Sequence, residues 1–327
     1  MKKTICYFLG MTLLLSALFF TGCNSQKKDA LRLGLGLYTS AEASSAAEDK
    51  NGTGVATATA AAVLLDTKGR ITACLLDSAE SAVSYTASGK ALANESFLTK
   101  REQGDSYGMK AYGGAVKEWY EQADTFSSLT LGKTIEEIKA LVAEDGKGND
   151  EVIRAGCTIS VSDFVMAIEK AVQNASPAEL TAKDQLKLSA ATIQTTKDAE
   201  GEENGFNQIE TTFFAATTDA NGKITSSYSD CVQVEFTFDS AGISQNSGKW
   251  IISSKRDLKN SYGMKTYGGA EKEWYEQADV FGKACIGKTA QEISSLLNQD
   301  GHGTDTLQTA GCTINIDGFV KAASKIK

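Results

Sequence analysis

The chain reads as α+β: two tandem repeats, each an antiparallel sheet followed by helices. Three observations lead there. Residues 106–126, SYGMKAYGGAVKEWYEQADTF, recur at 261–281 as SYGMKTYGGAEKEWYEQADVF, differing only at Ala111/Thr266, Val116/Glu271 and Thr125/Val280. Each copy has strand patterning before this block and helical patterning after it, the order expected of α+β units. The chain's single proline, Pro177, lies between the copies in Asn174-Ala-Ser-Pro-Ala-Glu-Leu-Thr.

The strands come first. Val232, Val234, Phe236 and Phe238 alternate with Gln233, Glu235 and Thr237, the period of a half-buried strand. Asn221-Gly222, between a Thr-rich run and an Ile-containing one, signals a hairpin. In the first copy, Val63-Leu64-Leu65 and Ile71 to Leu76 flank Asp66-Thr67-Lys68-Gly69 in the same way. Helices follow. From Ala115, the residues Trp119, Ala123 and Phe126 fall on one face. A last helix starts near Asp163, with Phe164, Ala167, Ile168 and Ala171 inward.

The repeat extends beyond the opening block. Gly132-Lys133-Thr134 recurs as Gly287-Lys288-Thr289, and Ala155-Gly156-Cys157-Thr158-Ile159 as Ala310-Gly311-Cys312-Thr313-Ile314, all 155 positions apart. Upstream the offset is 153, as in Gly69/Gly222, Ile71/Ile224, Asp77/Asp230 and Gly89/Gly242. Units of about 140 residues are the size of one domain each. The expected organisation is a leader over 1–22, a linker over 23–32, repeat 1 over 33–175, a linker over 176–185 and repeat 2 over 186–327.

The N-terminus predicts a location. Met1-Lys2-Lys3 is basic, and Ile5 to Phe20 is apolar but shorter than the roughly 20 residues a spanning helix needs. Phe20-Thr21-Gly22-Cys23 resembles a bacterial lipobox with Phe20 in place of the usual aliphatic residue. That resemblance implies cleavage before Cys23, lipidation of its thiol and anchoring at the extracytoplasmic face of the cell membrane, with palmitate among the acyl groups. Loss of Lys2 and Lys3 takes the formal charge from −8 to −10. An acidic surface repels phosphate backbones, so nucleic acid is not an expected partner. The membrane contact rests on the lipid.

Of seven cysteines, Cys6 leaves with the leader and Cys23 carries lipid. Among the other five only Cys157 and Cys312 correspond between repeats, so a disulfide framework is not expected and the thiols read as small buried apolar groups. His302 is the only histidine, which excludes His-dependent triads and multi-His metal sites. Asp145 to Asp150 is acidic and Gly-rich but lacks calcium-loop spacing. Gly282 to Thr289 matches GxxxxGK[ST], yet it follows a helix instead of a strand, and Ser127 stands at the first-copy equivalent of Gly282. Thr134-Ile-Glu-Glu137 and Thr289-Ala-Gln-Glu292 read instead as capping boxes.

Two places suggest binding. The first is Ala155-Gly156-Cys157-Thr158-Ile159-Ser160, a small-residue turn, then a short extended piece, then a helix. With the strand at Lys68-Gly69-Arg70-Ile71 and Lys223-Ile224, it resembles the C-terminal signature of the bacterial FMN-binding domain family. That family includes envelope lipoproteins and subunits of membrane-bound oxidoreductases. The resemblance implies FMN held near Gly156 and Thr158, and near Gly311 and Thr313 in the second copy. In covalent members a phosphoester would join FMN to the hydroxyl of Thr158 or Thr313. The chain departs from the family pattern at Ala155/Ala310, at Cys157/Cys312, and at Val152/Leu307 where the family has Asp. The second place is Tyr112-Gly113-Gly114 before a helix, where free amides would bind an anion. Lys110, Gly113 and Gly114 would supply the anion site and Tyr107 and Trp119 would stack on a ring, with Lys265, Gly268, Gly269 and Tyr262 as counterparts in the second copy.

The sequence therefore predicts a lipid-anchored envelope protein, not an enzyme in its own right, that binds a small ligand. FMN serving electron transfer with envelope redox partners is its sharpest form. A non-catalytic surface module for adhesion, scaffolding or immune display is the other reading.

Overall fold

A computed structural model describes residues 29–94, 96–181, 183–246 and 248–326. The leader and Cys23 lie outside the described residues. In chain order the first repeat holds strands β1 (Asp29–Ser44), β2 (Gly52–Leu65), β3 (Ile71–Tyr85) and β4 (Ala91–Leu92). Helices α1 (Lys100–Gln103), α2 (Trp119–Thr130), α3 (Ile135–Lys139), α4 (Asp150–Ala155) and α5 (Ser162–Asn174) follow. Next come β5 (Ser176–Leu180), β6 (Gln185–Lys197), β7 (Gly205–Thr218), β8 (Ile224–Phe238) and β9 (Lys249–Ile252). The last helices are α6 (Lys255–Leu258), α7 (Trp274–Cys285), α8 (Asp305–Thr309) and α9 (Asp317–Ala323). All named strand pairs are antiparallel. The α+β class with two sheet-then-helix repeats is as the sequence predicts.

The strands explain the layers. Along β2, Ala56, Ala58, Ala60, Ala62 and Leu64 join one buried cluster, while Ala61, Val63 and Leu65 join another. The period of two sends alternate side chains to opposite faces, and here both faces are covered. The first cluster also contains Ala190, Ile209, Phe213, Val232, Val234 and Phe236 from the second sheet. The two sheets therefore pack face to face. The outer face of each is covered by its own repeat's helices: α5 on β1 and β2 with α2 on β3, and α9 on β6 and β7 with α7 on β8. The result is four layers, helix–sheet–sheet–helix.

The helices are positioned by their stripes and caps. In α5, Phe164, Ala167, Ile168 and Ala171 are buried, as the spacing predicts, and Val165 is buried with them. Its backbone lies so close to β1 that a Cβ on Gly34 or Gly36 would sit 2.0 Å from the Ala171 carbonyl oxygen or 2.2 Å from the Ala171 nitrogen. Helix α2 starts at Trp119, not near Ala115, because Glu118 and Glu121 form a capping box and residues 110–118 are not helical. The capping boxes at Thr134/Glu137 and Thr289/Glu292 are present. The segment after Thr289 is a 3₁₀ helix and not an α-helix.

Two expectations about domain organisation are corrected. The repeats are not self-contained domains. Strand β9 of the second repeat leaves its own sheet and pairs with β1 of the first, Thr39 opposite Ile252. Reciprocally, residues after β3 run beside β6, where Asn94 N donates to Gln194 Oε1 (2.8 Å) and Gln194 Nε2 donates to the Leu92 carbonyl (3.0 Å). Nor are the two linkers plain linkers: β1 begins at Asp29, and Ser176–Leu180 forms an edge strand on β1 with Pro177 opposite Arg32. Equivalent residues meet across the join. Tyr85 and its counterpart Phe238 stack with ring centroids 4.1 Å apart. Lys170 pairs with Asp257, and their counterparts Lys325 and Glu102 pair at 2.7 Å. These reciprocal contacts are the signature of an internal two-fold.

The five described cysteines, Cys74, Cys157, Cys231, Cys285 and Cys312, are free and buried, as expected of apolar packing. Burial pushes the thiols of Cys74 and Cys157 up to about 11 and that of Cys285 up to about 12. Among the described residues no helix is long and apolar enough to cross a membrane, and no cluster of metal-ligating side chains occurs.

Candidate functional site

The outer face of the first sheet is not covered to its end. Thr57 and Thr59 follow the same alternation as Ala61 and Val63, so they face the helix layer, just past the last apolar contact. Thr59 is paired with Ser78 of β3, and their hydroxyls lie 3.3 Å apart. Around this hydroxyl floor stand Tyr107 and Met109 from the turn after α1, Trp119 from the start of α2, and Ile159, Asp163 and Phe164 at the entry to α5. The pocket so formed holds about 310 Å³. It sits at the lower end of small-molecule sites and has their usual make-up, apolar walls with a few polar groups.

Its two charges come from Lys100 and Asp163. Lys100 Nζ is 2.9 Å from Glu80 Oε2 and lies over the Tyr107 ring, 5.0 Å from the centroid. Burial disfavours its charge, but the Tyr107 hydroxyl and the Glu80 carboxylate outweigh that and hold its pKa above the ordinary lysine value. The Asp163 carboxylate accepts from Ser162 Oγ at 3.4 Å and, among the described residues, pairs with no cation.

The second repeat builds the same place differently. Glu210 stands for Thr57, Cys231 for Ser78 and Gly318 for Asp163. Lys255, the counterpart of Lys100, turns inward. Its ammonium is 2.9 Å from Glu210 Oε2, 5.4 Å from the centre of the Tyr262 ring and 5.7 Å from that of Trp274. The space over the tryptophan is thus occupied by the protein's own cation in repeat 2 and by no such cation in repeat 1. Sequence reasoning missed Thr57, Thr59, Ser78, Lys100 and Asp163. The exchanges Thr57/Glu210 and Asp163/Gly318 beside an unchanged lysine were the signal that could have found them.

The Thr158 turn lies beside this pocket, since Ile159 and Ser160 line it. Its amides are already bonded. Gly156 N donates to the Ile153 carbonyl at 2.9 Å and Cys157 N to that of Val152 at 3.1 Å, closing the end of α4. Thr158 N and Oγ1 both donate to Gln122 Oε1, at 2.8 and 3.1 Å, and Thr313 makes the same pair of bonds to Gln277. The hydroxyls of Thr158 and Thr313 are on exposed residues. The turn as folded is therefore a helix terminus tied to a buried glutamine. It does not fit a phosphate cradle, which needs unspent amides.

The expected anion site at Lys110, Gly113 and Gly114 does not form, nor does its copy at Lys265, Gly268 and Gly269. The helix that would supply amides begins at Trp119, and Glu118 answers the local donors: Met109 N at 2.9 Å and Lys110 N at 3.2 Å. The Lys110 ammonium is spent on Glu121 at 2.7 Å, and that of Lys265 on Glu276 at 2.8 Å. Gly114 and Gly269 serve the bend, with φ of 66° and 64°. Tyr112 and Tyr267 are 91% and 87% exposed, their rings lying against Gly108 and Gly263. Of the expected residues, Tyr107 and Tyr262 do reach the pocket and its counterpart.

The repeated block now has a physical account. Gln122 and Gln277 hold the threonine turns, Glu118 and Glu273 cap, and Lys117 and Lys272 bind the Ala155 and Ala310 carbonyls at 3.1 and 2.6 Å. Asp124 and Asp279 pair with Arg101 and Arg256 at 2.8 Å. These polar identities are demanded inside each repeat.

No protein-family model matches the chain, and no solved structure matches it. A partial similarity exists to the chlorophenol reductase of Desulfitobacterium hafniense, 46% identical over 41 residues. The match covers 12% of this chain and spans 12% of the length of that protein.

Proposed function

We propose that the chain is an extracytoplasmic, membrane-anchored lipoprotein that binds a small ligand in the pocket of its first repeat. The leader pattern ending at Cys23 supports the location. The observation that carries the binding role is the contrast between repeats: Glu210 draws Lys255 over Trp274, whereas Thr57 leaves the equivalent space over Trp119 open. The contrast supports a binding role. The test imports one residue. Thr57→Glu should draw Lys100 from Glu80 to a position over Trp119 and abolish small-molecule binding, measured by calorimetry on the folded mature chain. Binding that survives Thr57→Glu places the ligand elsewhere and ends this reading.

FMN-mediated electron transfer is the second reading. The partial similarity to a protein named as a reductase favours it. In that case the flavin supplies the redox chemistry and the protein its placement. Protein isolated from its native host would carry flavin absorbance near roughly 450 nm, the generic band of the cofactor. Colourless protein that also takes up no added FMN ends the redox reading.

A further inference from the structure

We propose that the first-repeat pocket takes a small organic cation, an ammonium group seated over Trp119 with Asp163 as its counter-charge. This rests on that pocket being the ligand site, and it names the class of ligand. The second repeat supplies the template. There, an ammonium occupies the equivalent space at 5.4 and 5.7 Å from two ring centres, against a carboxylate at 2.9 Å. An aromatic ring attracts a cation through its quadrupole, most strongly when the site is shielded from water. Trp119 is 5% exposed, and Tyr107 and Phe164 complete the wall.

The charges agree. The second repeat carries its acid on the strand, at Glu210, and has Gly318 at the helix entry. The first repeat has Thr57 on the strand and its acid, Asp163, at the helix entry. Lys100 is held by Glu80 at 2.9 Å, and Glu80 does not line the pocket. Counting Lys100, Glu80 and Asp163 together, the neighbourhood is one negative charge in excess. With Lys100 already answered by Glu80, an anion would be opposed by Asp163, and a neutral molecule would leave Asp163 unanswered. At about 310 Å³ the pocket suits a compact ammonium and not a ribityl-phosphate flavin.

The experiment is calorimetric titration of the full mature chain with choline and with its uncharged carbon isostere 3,3-dimethylbutan-1-ol, and with FMN as a third arm. Choline should bind at one site, roughly tenfold or more tighter than the isostere. Asp163→Asn keeps the side-chain shape and should weaken choline about tenfold while leaving the isostere unchanged. Thr57→Glu should abolish both, and circular dichroism melts establish that each variant folds. If the isostere or FMN binds as well as choline, and Thr57→Glu removes that binding, the pocket stands and the cation class falls. If choline binds equally to wild type and to Asp163→Asn, the counter-charge assignment falls. If none of the three ligands binds, or binding ignores Thr57→Glu, the pocket reading falls as well.

Discussion

The two repeats place a lysine, a tyrosine and a tryptophan at equivalent positions and then use them oppositely. In repeat 2, Lys255 is 8% exposed and held by Glu210 between two rings. In repeat 1, Lys100 leans to Glu80, a residue 44% exposed at the rim. One copy closes its pocket with its own ion pair; the other leaves room. Exchanged side chains, Thr57 for Glu210 and Asp163 for Gly318, carry the difference, which is how a duplicated scaffold separates a stabilising role from a binding one. The contrast is tested most severely by removing each acid. Glu210→Gln strands an ammonium among aromatic rings and should cost about 3 kcal/mol, the lower end for breaking a buried pair. Glu80→Gln should cost less, about 1 kcal/mol, because the Glu80 carboxylate is 44% exposed and water screens the pair. Urea denaturation of both variants measures this, and equal losses would break the comparison.

A second test concerns what the copies share. Asp77 and Asp230 are buried beside the α1 and α6 helices. Each has one oxygen accepting two backbone N–H groups: those of Ser78 and Arg101 at 2.7 and 3.2 Å, and those of Cys231 and Arg256 at 2.7 and 3.2 Å. Burial outweighs these bonds and pushes both carboxyls from 3.8 up to about 6. The folded state therefore holds these protons more tightly than the unfolded chain. The stability they contribute is full below pH 4 and is lost as pH rises through 6. Each carboxyl accounts for about 3 kcal/mol across that window. Asp77→Asn or Asp230→Asn should flatten the decline between pH 4 and 7 by that order. A variant that steepens the decline would mean that the native carboxylate is stabilised and not strained.

Much of the fold was legible because its signals are local. The stripe Phe164, Ala167, Ile168 and Ala171 named α5, the alternation at 232–238 named β8, and Thr134 and Thr289 marked the next helical starts. The exchange of β9 was not legible. Period-two alternation says that a face is buried, but not whose strand or sheet buries it, and Ala56, Ala58, Ala60 and Ala62 look the same under a helix as under a second sheet. The start of α2 was misplaced because its cap is Glu118, outside the usual Ser, Thr, Asp or Asn set. Of the candidate site, Tyr107 was legible as an aromatic near a turn. Thr57 and Asp163 were not, since a strand threonine and a first-turn aspartate are ordinary residues until the third dimension brings them together.

The threonine turns are where the copies should behave alike. Gln122 and Gln277 are each 1% exposed and each spends both ends of its amide, Nε2 on the Lys117 or Lys272 carbonyl at 3.0 and 2.9 Å, and Oε1 on the threonine. Removing either leaves the threonine amide and the lysine carbonyl without their partner, at a cost of roughly 1 kcal/mol. Gln122→Ala and Gln277→Ala should therefore lower the denaturation midpoint by similar amounts. A loss confined to one copy would show that the two turns, despite their shared sequence, differ in what they support.

The smallest effect bears on the join between repeats. Lys170–Asp257 and Lys325–Glu102 are related by the internal two-fold, so symmetry alone would make them equal. Their settings differ. The side chains of the first pair are 26% and 21% exposed, those of the second 37% and 29%. Coulombic attraction is screened more as exposure grows, and partly exposed pairs contribute under about 1 kcal/mol. Double-mutant cycles with Lys170→Met/Asp257→Asn and Lys325→Met/Glu102→Gln should give a coupling of several tenths of a kcal/mol for the first pair and less for the second. Raising the salt concentration should shrink the second coupling more. If the second pair proves the stronger, exposure does not set its strength, and the C-terminal turn carrying Lys325 must be held in place by its packing at Ile326 more firmly than the end of α5 holds Lys170.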